Sequence, residues 1–176
     1  MSATNAIGET SLSMPQTHPI SSRGFSLIEM LIALALISIL VVAAMPDKKG
    51  QVDQSYVAET LALTAAYKVQ VMEYYQASGE FPADNTTAGL PSPREIQGNY
   101  LQSMTVENGA LHLEMGNKIR PELQGKTLSI RPVFMPGVIG APVSWVCGHD
   151  TIPGEMVAAG PNLTNLEPYQ LPIQCR

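Results

Sequence analysis

Arg23-Gly24-Phe25-Ser26-Leu27-Ile28-Glu29-Met30 joins a polar, Ser- and Thr-containing segment to an apolar run that extends to Met45. From Phe25 to Met45 the only polar side chains are Ser26, Glu29 and Ser38. About 20 apolar residues suffice to cross a bilayer as a helix. An ionised acid inside such a helix costs on the order of 2.5–3.5 kcal/mol on insertion scales. That expense implies a task for Glu29. The serines are cheap here, because a hydroxyl can bond a carbonyl of the preceding turn.

Upstream, residues 1–24 lack the apolar core that a secretory signal places before its cut. Here the apolar run follows. Met1 and Met14 both remain open as the start. Downstream, Pro46 removes a backbone donor and is expected to kink or loosen a continuing helix. Asp47-Lys48-Lys49-Gly50 is also a plausible stop. Val52, Tyr56, Leu63, Tyr67 and Val71 recur at multiples of three to four residues, which predicts that the helix resumes with one apolar face. Ser78-Gly79, followed by Pro82, should end it.

Residues 80–100 read as a connection rich in turn formers. Thr105–Glu107 and Ala110–Leu113 flank Asn108-Gly109, a hairpin signal. Thr127–Ile130 and Val143–Cys147 complete four expected strands. The tail 148–176 is proline-containing and expected to be irregular. The fold class is therefore α+β, a long N-terminal helix packed on a small antiparallel sheet.

Composition narrows the function. The formal net charge is -5 and the pI about 5.1, so no general electrostatic footprint for nucleic acid exists. No phosphate loop, catalytic serine motif or metal-ligand spacing occurs, so neither an enzyme, a cofactor nor a metal is expected. His112 and His149 read as ordinary polar residues. Asn85-Thr86-Thr87 and Asn162-Leu163-Thr164 match a glycosylation pattern too common to carry weight. Cys147 and Cys175 are the only cysteines. In an exported chain they are expected to pair, closing a loop of ~29 residues.

The octapeptide resembles the processing site of bacterial type IV prepilins. The resemblance combines a basic residue and Gly before the cut, Phe after it, Glu at fixed spacing and a long apolar run. It implies cleavage between Gly24 and Phe25 by a prepilin peptidase, and N-methylation of Phe25. It also implies an assembly role for Glu29 facing the Phe25 amine of a neighbouring subunit. The implied domains are a removed leader 1–24, a helix 25–78 whose part 25–45 serves as anchor and then filament core, and a head 79–176 with a disulfide loop 147–175. Two features depart from the family. Ser38 stands where a glycine is frequent, eight residues before Pro46, and Asp47–Gly50 replaces a Gln/Tyr-rich segment. Lys48 and Lys49 also oppose the positive-inside rule, with Arg23 on the other side.

The function implied is a structural subunit of a type IV pilus, serving adhesion, twitching motility or DNA uptake. Implied partners are further copies of itself, the peptidase and methylase, an inner-membrane assembly platform, and lipid before assembly. The implied location is the inner membrane as a single-pass precursor, then the extracellular fimbrium. A minor pilin or secretion pseudopilin is the first alternative. A membrane-anchored periplasmic binding domain that never polymerises is the second.

Overall fold

The computed structural model describes residues 24–44, 48–138 and 141–176. The chain divides into two units at Met45 and Pro46. The first contains helix α1, Leu27–Ala43. Ser26 caps it: its backbone is extended and its Oγ accepts the Ile28 N–H at 3.3 Å. A cap of this kind satisfies one of the four free donors at a helix start. Ser38 Oγ donates to the Leu34 carbonyl at 2.7 Å, as expected of a serine in an apolar helix. No residue of α1 is buried.

The expected span 25–45 is thus a 17-residue helix. Among the described residues no helix is long and apolar enough to cross a membrane. The expected kink at Pro46, the leader 1–23 and the alternative start at Met14 lie outside the described residues.

The second unit opens with α2, Lys48–Ser78. It stops where expected: Gly79 takes a positive φ of 78° and its N–H bonds the Tyr75 carbonyl. The buried face agrees with the expected one at Val71, Tyr56 and Tyr67, which lie in or pack against the core, and differs at Val52 and Leu63. Asp53, Val57, Thr60, Thr64 and Val71 are buried, whereas Val52 and Leu63 are 40 % and 41 % exposed. Thr60 and Thr64 pass as core residues because each hydroxyl donates to a carbonyl of α2, those of Tyr56 and Leu61. Asp53 is buried because it pairs with Arg120.

Four strands form an antiparallel sheet in the order β1 (Leu101–Glu107), β2 (Ala110–Met115), β3 (Thr127–Phe134) and β4 (Ser144–Cys147). Asn108 and Gly109 both have positive φ, 49° and 84°, so the β1–β2 connection is the tight hairpin turn expected. Leu111, Leu113, Leu128, Ile130, Met104 and Val106 join Val57 and Val71 of α2 in one core.

Two corrections to the strand reading follow from backbone bonding. β3 runs past its expected end at Ile130 and through Pro132. Pro132 pairs with Trp145, and its carbonyl accepts the Ala159 N–H at 2.9 Å. The missing N–H of Pro132 therefore falls on the side where β2 has already ended, so it breaks no β2–β3 bond. The tail, expected to be irregular, supplies a two-residue strand β5, Val157–Ala158, that pairs with Val133 and Phe134.

Candidate functional site

The processing motif sits at the start of α1. Gly24 is exposed, and a side chain added to it would meet nothing within 4 Å. Packing therefore does not require glycine there. Phe25 is 77 % exposed just ahead of the Ser26 cap. Glu29 lies in the first turn of α1 and is exposed. An acid there gains roughly 0.3–1 kcal/mol from the helix dipole. That falls short of the 2.5–3.5 kcal/mol quoted for an acid within a bilayer. Helix capping alone does not account for Glu29 in a segment that must leave water.

The tail is pinned at many points. Cys147 and Cys175 are joined, with a Cα–Cα distance of 4.5 Å. Gly148 has a positive φ of 59°, and a side chain there would collide with the Cys175 carbonyl. The His149 N–H donates to that same carbonyl at 3.0 Å. Asn162 Nδ2 donates to the Gly148 carbonyl at 2.8 Å, and the Ser129 N–H donates to Thr164 Oγ1 at 3.0 Å. The Thr127 N–H donates to Asn165 Oδ1 at 2.7 Å. Residues 162–165 are thus bonded to β3 and Gly148, while the Tyr169 carbonyl accepts from Gln54 at the start of α2.

His112 of β2 is only 6 % exposed. Ser129 Oγ accepts the Leu163 N–H at 2.8 Å and is hydrogen-bonded with His112 Nδ1 at 2.9 Å. His112 Nε2 lies 3.6 Å from Glu107 Oε2 and has no hydrogen-bond partner. Burial holds the His112 pKa below its ordinary value; Glu107 opposes this and Arg131 adds to it. Ser129, His112 and Glu107 superficially match a nucleophile, base and acid. Ser129 is wholly buried and its hydroxyl is bonded on both sides, so no substrate can reach it.

Asn85 is likewise committed. Its amide donates to the Pro91 and Met104 carbonyls, each at 3.0 Å, and accepts the Val106 N–H at 2.7 Å. The first glycosylation match is therefore a buried clamp between the 80–100 connection and β1. Sequence reading missed that role and the Asp53–Arg120 pair, since both partners lie tens of residues apart. The one local signal for Asn85 is an Asx residue inside a turn-rich segment.

Comparison with known proteins places these features. A family model for pilin, the bacterial filament protein, matches residues 54–176. A prokaryotic N-terminal methylation motif matches residues 20–45. The chain is 34 % identical over 160 residues to a type IV major pilin protein, PilE1, of Neisseria gonorrhoeae, covering 88 % of this chain and 87 % of that one. It is 32 % identical over 163 residues to a fimbrial protein of Neisseria meningitidis serogroup B, covering 88 % and 94 %. It is 33 % identical over 133 residues to the fimbrial protein EcpC of Eikenella corrodens, covering 73 % and 83 %. An exposed apolar helix behind a methylation motif, followed by a helix packed on an antiparallel sheet with a disulfide-bonded tail, completes the assignment: the chain belongs to the type IV pilin family and is a structural pilin subunit.

Proposed function

We propose that the chain is cut between Gly24 and Phe25, N-methylated on Phe25, and polymerised as the main subunit of an extracellular type IV pilus. The carrying observation is α1, whose apolar side chains are all exposed. Burying one Leu, Ile or Val contributes roughly 1.5–3 kcal/mol. A helix covered with such residues cannot remain in water. Before assembly, lipid of the inner membrane covers it; afterwards, α1 helices of other copies do. The names of the relatives, type IV major pilin and fimbrial protein, support a main rather than a minor subunit.

Cleavage frees an α-amino cation on Phe25 at the edge of that apolar surface. In the polymer, Glu29 of one subunit neutralises the Phe25 amine of the next. Either charge alone is costly in an apolar core, and together they offset one another. The peptidase and methylase and an inner-membrane assembly platform are the partners this route requires.

Gly24→Val tests the first step. The fold leaves room for a side chain at this position, so the head should fold normally. Cells should accumulate a precursor heavier by the leader, and fibres should be absent. Normal maturation of the Gly24→Val chain would contradict the proposed cut.

A further inference from the structure

The head carries two unmatched apolar features at opposite ends of α2. Near the start of α2, Tyr169 and Ile173 of the tail are 59 % and 83 % exposed. Their place is fixed by Gln54, whose Nε2 donates to the Tyr169 carbonyl at 2.9 Å, and by the close approach of Gly50 to Tyr169. At the other end a groove of about 610 Å³ is lined by Met72, Tyr75 and Gly79 on one wall and Phe134, Val138 and Pro142 on the other. Tyr75 and Phe134 are held there by Phe81, stacked on Tyr75 at 4.2 Å and tilted against Phe134 at 5.3 Å. The two features are separated by more than 20 residues of helix, roughly 30–35 Å at 1.5 Å per residue.

The charges of α2 are arranged the same way. A helix start is the positive end of its dipole and favours acids; its finish favours bases. α2 has no base in its last turn, and Glu73 and Glu80 are exposed near its finish. That end therefore presents the dipole's own sign. Arg176, beyond Ile173, is also exposed.

We propose that the groove of one subunit receives Tyr169 and Ile173 of a second copy, with Arg176 beside them meeting the acidic finish of its neighbour's α2. The two patches differ, so the contact is head-to-tail and leaves both ends open for growth. A groove of this volume holds one or two large side chains. The proposal rests on the subunit reading above and adds a specific head-to-head-group surface to it, independent of α1.

The test is cross-linking within sheared fibres of a Val138→Cys/Tyr169→Cys double variant. A short bismaleimide spares Cys147 and Cys175, which are disulfide-bonded. A ladder of dimers, trimers and larger species is expected from the double variant, and at most dimers from either single variant. Double-variant fibres that yield only monomer would overturn the contact while leaving the subunit reading intact. A wild-type chain absent from fibres would instead overturn that reading, and the contact with it. Should the double variant not assemble, Ile173→Asp decides. A disulfide-linked, cleaved subunit with fibre yield reduced tenfold or more supports the contact, and wild-type yield refutes it.

Discussion

At the residue scale, the proposed assembly turns on Glu29. Removing one partner of a buried ion pair costs roughly 3–5 kcal/mol, because the other is left uncompensated. The cost recurs at every subunit junction. Glu29→Ala should therefore give a cleaved, folded, membrane-held subunit and few or no fibres, counted by electron microscopy with cleavage confirmed by mass. In the head, Asn85 satisfies three backbone groups at once, two of them, on Met104 and Val106, buried. Leaving such groups unpaired costs about 1–3 kcal/mol each, partly relieved by water entry. Asn85→Ala should destabilise the head by about 2–4 kcal/mol in denaturant titration. His112 links stability to pH. Its folded pKa lies below the ordinary 6.5, with burial the main cause. The unfolded chain then binds the proton more readily, so stability falls as pH drops below about 6.5. Melting of the detergent-held chain at pH 7.5 and 5.5 should show a larger loss for wild type than for His112→Gln.

At the scale of elements, the tail and α2 are each fixed by one strong cross-link and many weaker ones. Replacing both Cys147 and Cys175 by Ser releases a loop with a sequence separation of 28. The chain-entropy model puts the loss at about 3–4 kcal/mol. The tail's backbone bonds to Ser129 and Thr127 remain, so the sheet should persist while protease sites between 148 and 176 open first. Limited proteolysis with mass mapping would show this order. The elements also show what a linear reading can find. Hairpin and helix stop were legible because Asn108-Gly109 and Gly79 need positive φ, a local property. The face of α2 was legible at Tyr56, Tyr67 and Val71 but incomplete, because its core positions also include Asp53, Thr60 and Thr64. Their polarity is cancelled by Arg120 and by carbonyls of α2 itself. β3 runs past its expected end at Ile130 because no neighbour needs the N–H that Pro132 lacks. β5, with two residues, carries no period to detect.

For the whole molecule, the proposals give one end of the chain to enzymes and the head to neighbouring copies. The processing motif was legible because a peptidase reads linear sequence, and Gly24 has no fold constraint to obscure it. The groove was not, since residues 72, 134 and 142 meet only after α2, β3 and the loop before β4 are assembled. The central claim is that cleavage leaves Phe25 as the first residue and that α1 is then covered by other copies. Intact mass and N-terminal sequencing of the main protein of sheared surface fibres test it most directly. The account predicts this chain, beginning with N-methylated Phe25 and carrying one internal disulfide. Fibres lacking this chain, or a mature chain that begins at any other residue, would contradict it.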